Sequence, residues 1–322
     1  MLPHLQEDSG MGQLLDGTWT NEVVDQRDPS GRYERKVTHF RSWIRADGST
    51  DFSPASDRYH LYVSTACPWS HKTVLARSLK GLSAHIGLTV VDPFMGTENW
   101  VFTDEFPDDL YGLKRLFELY TRAKADYTGR VSVPVLWDKQ TQTLVSNESA
   151  EILEMFDSEF GELADPTFQL RPHALLHDID AMNERMYSAL NNGVYRSGFA
   201  RSQEAYDEAV NEVFACLDHL ESHLEGRPWL VGDQLTDSDL RLFATAIRFD
   251  VVYFHHFKCN RRMLRDYPHL QAHTRRVYAL PGVAETVDFA QYKRHYYTSH
   301  ESINPHRVIP AGPDMTGWFD TD

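Results

Sequence analysis

One stretch, residues 59–81, limits the possible folds more than any other. Tyr59-His-Leu-Tyr-Val-Ser64 is rich in aromatic and β-branched residues in rough alternation, which predicts a strand. Lys72 to Lys80 carries apolar residues at Val74, Leu75 and Leu79, which predicts a helix, and Gly81 is suited to stop it. Cys67 sits at this strand-to-helix junction, with Pro68 fit for the first helical position. Unpaired backbone N–H groups and the helix dipole favour a negative sulfur there. The thiolate is the nucleophilic form of cysteine, so the junction reads as a reactive site. The competing reading is an inert cysteine packed as a small hydrophobe. Placement, Pro68 and the preceding strand together favour reactivity.

The flanking pattern extends this unit. Residues 86–91 form a second apolar strand ended by Asp92-Pro93, giving β-α-β with parallel neighbours. A long insert follows over 92–130, with Trp100, many acids and a helical candidate at 112–124; its aromatic content favours function over disorder. Residues 131–138 read as a strand interrupted by Pro134, which marks an edge, a bulge or a cis bond. A cis Val133–Pro134 bond would leave the Val133 backbone to pair with something other than the sheet. Residues 143–146 look like the antiparallel return strand, and Asn147-Glu148-Ser149 opens a helix whose apolar face is Ile152, Leu153 and Phe156.

From about 170 the pattern is helical, over 173–190, 203–224, 238–254 and 269–279. Thr236 and Asp239 have capping-box spacing, with Leu235 placed to staple to Leu240, which assigns them to structure rather than chemistry. Tyr292, Tyr296 and Tyr297 fall in a final short helix before a proline-marked tail. The expected organisation is an extension over 1–55 packed on the core, an α/β domain over 56–160 and an all-helical domain with its tail over 170–322. Within the extension, at most a short hairpin is expected around Asp28 to Gly31.

Composition narrows the function. A chain of 322 residues can build two cores, and no apolar run approaches the ~18 residues of a membrane span. Residues 1–8 lack a basic region followed by an apolar one, so no secretory leader and no membrane partner are expected. Three scattered cysteines (Cys67, Cys216, Cys259) fit a reducing cytoplasm. A net charge of −15 argues against nucleic acid as partner. His255, His256, Cys259, His269 and His273 do not have standard zinc spacing, so no metal is expected, and no Gly-x-Ser-x-Gly elbow supports a hydrolase. Cys67 stands in Cys-x-x-Ser, with no neighbouring cysteine to resolve a mixed disulfide. A small external thiol must do so.

The chain resembles the glutathione transferases, specifically the xi class called glutathionyl-hydroquinone reductases. The residues that carry the resemblance are Cys67-Pro-Trp-Ser-His71, residues 126–138, Asn147-Glu-Ser149, residues 191–199, His256-Phe-Lys-Cys-Asn260 and residues 293–300. Cys-Pro-Trp alone is shared with omega-class relatives; the tyrosine-bearing segments are the specific ones. The resemblance implies a thioredoxin-like N-terminal domain, an all-α C-terminal domain and a homodimer. It implies glutathione as co-substrate, with no permanently bound cofactor. Cys67 would be the nucleophile. Trp100, Arg130, Val133, Glu148 and Ser149 would hold glutathione, with Ser149 and helix N–H groups on its α-carboxylate and Glu148 on its ammonium. Tyr195, Tyr253 and Tyr296 would bind an aromatic substrate, Tyr195 and Tyr296 assisting catalysis. The implied reaction is reductive removal of glutathione from glutathionyl-hydroquinones. The alternative is an omega-like thiol transferase or dehydroascorbate reductase, which needs Cys67 but not the tyrosines.

Overall fold

The computed structural model describes residues 12–21, 27–34 and 38–319, and divides the chain into two compact units. The first comprises residues 1–25, 37–165 and 290–309; the second comprises 26–36, 166–289 and 310–322.

In the first unit, strands β1 (Gln13–Leu15) and β2 (Thr18–Thr20) form a small hairpin. Its turn, Asp16-Gly17, is left-handed at both residues (φ 46 and 77), and Leu14 pairs with Gly129. The central sheet has strands β3 (Tyr59–Val63), β4 (Gly87–Val90), β5 (Val135–Asp138) and β6 (Thr143–Ser146), in the order β4-β3-β5-β6. β3 runs parallel to β4 and antiparallel to β5, and β5 runs antiparallel to β6. Every residue of β3 is buried, as befits a central strand covered on both faces.

Helix α1 (Pro68–Leu79) leaves β3 through a short turn, and α3 (Ser149–Ser158) packs against it. Gly81 adopts φ +66 just past α1, the conformation that ends the helix as expected. Within the 92–130 insert, α2 (Leu116–Ala123) buries Leu116, Leu119 and Tyr120. These join Trp100, Phe102, Val133, Val135 and Trp137 in one core cluster. Burying each large side chain contributes roughly 1.5–3 kcal/mol, so the insert is a stabilised part of the unit.

The second unit contains α4 (Leu176–Met186), α5 (Gly193–Gly198), α6 (Gln203–His223), α7 (Asp237–Arg248) and α8 (Pro268–Tyr278). The Thr236–Asp239 capping box starts α7, and Leu235 and Leu240 are buried beside it. Asp28 to Gly31 form the expected turn, bridged antiparallel at Arg27 and Tyr33.

The stretches read as helical over 173–190 and 238–254 are helical, and each widens from α-helix into a π turn, at Tyr187–Asn191 and Phe249–Tyr253. The Asn192 N–H reaches the Tyr187 carbonyl and the Phe254 N–H reaches the Phe249 carbonyl, both at 2.8 Å. The residues expected as one extension divide between the units, and the β1–β2 hairpin lies there in addition to the Asp28 turn. Helix α9 (Phe289–Ser299) was expected in the helical domain over 170–322, but residues 290–309 belong to the first unit. The reason is polar tethering. Arg294 pairs with Asp92 at 3.1 Å, the His295 ring nitrogen lies 2.8 Å from the Pro93 carbonyl, and the Ser299 hydroxyl accepts the Met95 N–H at 3.0 Å. The expectation for residues 1–8 lies outside the described residues.

Candidate active site

Cys67 is the residue that caps the start of α1, with extended backbone (φ −79, ψ 119), and Pro68 is the first helical residue. The Cys67 N–H donates to the Ser64 carbonyl at 3.1 Å, and the Cys67 carbonyl accepts the His71 N–H at 2.9 Å. These bonds fix the half-buried side chain where the strand hands over to the helix. The sulfur lies 4.0 Å from the Val133 carbonyl oxygen. The bond between Val133 and Pro134 is cis, and the β5 ladder begins only at Val135. The other two cysteines are different: burial pushes the Cys216 thiol up to about 11 and the Cys259 thiol up to about 12. Both are packed thiols, which leaves Cys67 as the accessible one.

Glu148 caps α3, its carboxylate accepting the Ala150 N–H at 3.3 Å and the Thr38 hydroxyl at 3.3 Å. Ser149 follows as the first helical residue, 2% exposed, and its hydroxyl has no hydrogen-bond partner among the described residues. A buried hydroxyl without a partner carries a free-energy cost unless something else meets it. It lies at a helix start, where free N–H groups also favour an anion.

Tyr120, which the sequence did not single out, and Asn147, read there only as part of the helix start and its motif, join this turn to the Val133 segment. The Tyr120 hydroxyl donates to the Ser132 carbonyl at 2.7 Å and accepts the Ser132 N–H at 3.2 Å and the Asn147 amide at 3.1 Å. The Asn147 side-chain oxygen also takes the Phe40 N–H at 3.3 Å. The only sequence signal was the position of Asn147, directly before Glu148. Arg130, half-buried, belongs to the same segment, its carbonyl accepting the Tyr127 hydroxyl at 3.1 Å.

Trp100 is 6% exposed, and its indole stacks on His295 with ring centres 5.0 Å apart. Its carbonyl accepts the Leu116 N–H at 2.9 Å, so it anchors the insert. Tyr296 belongs to the first unit and packs edge-on to His295 and to His300, at 5.0 and 5.5 Å. Neighbouring Tyr297 is also buried, and burial raises its phenol far above the ordinary range.

Tyr195 and Tyr253 lie in the second unit with ring centres 6.1 Å apart. Phe257 stacks on Tyr253 at 5.6 Å and meets Tyr195 edge-on at 5.3 Å. A Cβ on Gly198 would come within 2.1 Å of the Phe257 ring, so only glycine allows this packing. Tyr253 ends one π turn and Tyr195 follows the other by one helical turn. Of the histidines weighed as metal ligands, His273 instead meets the Asp239 carboxylate at 2.8 Å, and Cys259 faces the Phe257 carbonyl at 3.8 Å.

A thioredoxin-like unit with a cysteine starting its first major helix, followed by a helical unit, is the architecture of a glutathione transferase. Residues 66–159 match the family model for the glutathione S-transferase N-terminal domain, and residues 203–276 match that for its C-terminal domain. The chain is 47% identical to the glutathionyl-hydroquinone reductase YqjG of Escherichia coli (strain K12), over 97% of each chain. It is 44% identical to the glutathionyl-hydroquinone reductase PcpF of Sphingobium chlorophenolicum, over 94% of this chain and 96% of that one. Among solved structures, it is similar to the glutathione-bound structure of YqjG, with a TM-score of 0.87, 45% identity, and coverage of 96% of this chain and 97% of that one. It also resembles the xi glutathione S-transferase of Phanerochaete chrysosporium, with a TM-score of 0.86, 47% identity, and coverage of 89% and 94%. The chain belongs to the xi class of glutathione transferases, the glutathionyl-hydroquinone reductases.

Proposed function

We propose that the chain removes glutathione reductively from glutathionyl-hydroquinones through a Cys67–glutathione mixed disulfide. The observation that carries glutathione is the buried, unpartnered Ser149 hydroxyl at the start of α3. A γ-glutamyl carboxylate would satisfy it together with the helix N–H groups, and Glu148 would meet the adjacent ammonium. The Val133 backbone, 4.0 Å from the sulfur, would pair with the cysteinyl part as an added strand does. Trp100 and Arg130 complete the proposed glutathione contacts. The activity in the names of YqjG and PcpF supports the hydroquinone.

In the reaction, the Cys67 thiolate attacks the sulfur of the adduct. An S–S bond forms, the sulfur–ring bond breaks, and the electron pair passes to the ring carbon, which takes a proton from solvent. A ring carbon is a poor leaving group. Hydrogen bonds from Tyr195 and Tyr296 to a ring oxygen would favour a keto-like form that accepts the pair, with Tyr253 lining the substrate. A second glutathione attacks the mixed disulfide, releasing oxidised glutathione and the thiolate. Atoms balance as adduct plus glutathione giving hydroquinone plus oxidised glutathione, with ping-pong kinetics. Homodimerisation and a cytoplasmic setting, where glutathione is kept reduced, belong to the same proposal.

The test is turnover of a glutathionylated menadiol with glutathione by wild type, Cys67→Ser and Tyr195→Phe/Tyr296→Phe. Wild type should release free hydroquinone, Cys67→Ser none, and the double variant far less while still reducing a simple mixed disulfide. Wild type that leaves the adduct untouched yet reduces the mixed disulfide would give the reaction to the omega-like alternative.

A further inference from the structure

Helix α9 joins the first unit by a contact at Thr65 and by a series of contacts to segment 92–105, which carries Trp100. From N- to C-terminus, the Gln291 side chain meets the Thr65 hydroxyl, and Arg294 meets Asp92 and Glu105 at 3.1 and 3.2 Å. The His295 ring nitrogen Nδ1 lies 2.8 Å from the Pro93 carbonyl, and the Ser299 hydroxyl takes the Met95 N–H. Arg307 then lies 5.2 Å over the Phe94 ring. His295 stands at the middle of this series. One of its contacts is the stack on Trp100 (5.0 Å, planes 25° apart) and another is the edge contact with Tyr296 (5.0 Å). The ring is 6% exposed, so these neighbours hold it in a packed position.

We propose that His295 is a positioning residue that sets Trp100 and Tyr296 in one register, so that the glutathione contact and the hydroquinone contact are aligned through a single ring. The inference rests on the functional reading above, which assigns those two contacts. His295 touches neither reactant. It acts through the face it gives Trp100 and the edge it gives Tyr296, while the Pro93 carbonyl fixes its own rotation. An aromatic pair is strong enough to matter here: its loss changes an equilibrium by up to about tenfold. The assignment also explains why α9 is tied to the insert by several bonds rather than by apolar packing alone. Directional bonds fix a ring's angle where apolar contact does not.

Two substitutions separate the stack from the tether. His295→Asn keeps a donor near Nδ1 but removes the ring, whereas His295→Phe keeps a ring against Trp100 and removes the bond to Pro93. Glutathione affinity is measured by calorimetry on the whole protein, with urea unfolding as the folding control. Turnover of the glutathionylated menadiol is then measured in the same preparations. His295→Asn should weaken glutathione binding by up to about tenfold and lower kcat/KM for the adduct by at least as much. His295→Phe keeps the stack but loses the bond that fixes its angle, so it should bind glutathione more tightly than His295→Asn and less tightly than wild type, whatever its unfolding midpoint. The proposal is overturned if His295→Asn binds glutathione as wild type does, or if His295→Phe binds no better than His295→Asn. Should wild type bind glutathione but leave the adduct untouched, the functional reading falls, while the binding series still decides whether His295 positions Trp100.

Discussion

Replacing Tyr120 by phenylalanine tests whether the two halves of the proposed glutathione site are held together by one hydroxyl. The ring is fully buried, and burial raises its phenol, so the group stays neutral and keeps a proton to donate. Removing the oxygen deletes three close contacts, to the Ser132 carbonyl at 2.7 Å, the Ser132 N–H at 3.2 Å and the Asn147 amide at 3.1 Å, and a longer one to the Ser132 hydroxyl at 3.5 Å. The phenylalanine ring fills the same space, so no large cavity opens. Ser132 is half-buried and its backbone groups can find water; Asn147 is 4% exposed and its amide keeps only a 3.5 Å contact to the Ser132 hydroxyl. One buried donor left poorly met costs about 1–3 kcal/mol, so we expect a loss of about 2 kcal/mol. With a urea slope of about 2 kcal/mol per M, the unfolding midpoint falls by about 1 M.

The functional consequence is separable from that loss. The hydroxyl ties the segment carrying Val133 to the turn carrying Glu148 and Ser149, and glutathione is proposed to bridge both. Their relative slippage should raise the glutathione Kd by about tenfold, equivalent to about 1.4 kcal/mol. Alkylation of Cys67 by a small neutral reagent should stay near the wild-type rate, because the bonds at Ser64 and His71 that seat the cysteine are untouched. Calorimetry with glutathione, urea unfolding and timed alkylation read the three quantities. A lowered midpoint with an unchanged Kd would refute the reasoning, since the network would then stabilise the unit without aligning the site.

Native protein treated with iodoacetamide should take up one label, at Cys67, and three after unfolding, because burial holds the Cys216 and Cys259 thiols up at about 11 and 12; rapid native labelling of either would contradict this, as read by peptide mass. Ser149→Ala should leave the unfolding free energy within about 0.5 kcal/mol of wild type or raise it, since the hydroxyl it removes has no partner among the described residues, while weakening glutathione binding several-fold. His60 is buried in β3 against Thr89, and burial lowers its imidazole to about 4 from an ordinary 6.5. The unfolded chain therefore binds the extra proton between those values. The contribution is fully present above pH 6.5 and is lost as pH falls to 4, on the order of 3 kcal/mol, so His60→Gln should flatten the stability profile across that window. Equal slopes in the two proteins would reject that cause.

What the sequence made legible follows from how local each cause is. The Cys67 junction could be read because strand alternation, Pro68 and Gly81 each act within a few residues. Pro134 could be read because a proline inside a strand pattern permits few backbone solutions, and the cis bond is one of them. The π turns at Tyr187–Asn191 and Phe249–Tyr253 could not, because one extra residue per turn leaves the apolar pattern almost intact while rotating everything after it. The place of α9 was hidden for a different reason. Its periodicity matches the preceding helices, and what moves it into the first unit is a set of bonds to residues about 200 positions earlier, Arg294 to Asp92 and His295 to Pro93. No window along the chain contains both partners. The tyrosines are the intermediate case. Their roles came from resemblance, since a phenol among 15 tyrosines carries no local mark of function. The structure adds that Tyr296 shares a unit with Cys67 whereas Tyr195 and Tyr253 share the other. The tyrosines proposed to bind substrate are therefore divided between the two units. A substitution at His295 should disturb Tyr296 together with Trp100, whereas one at Phe257 should disturb Tyr195 together with Tyr253.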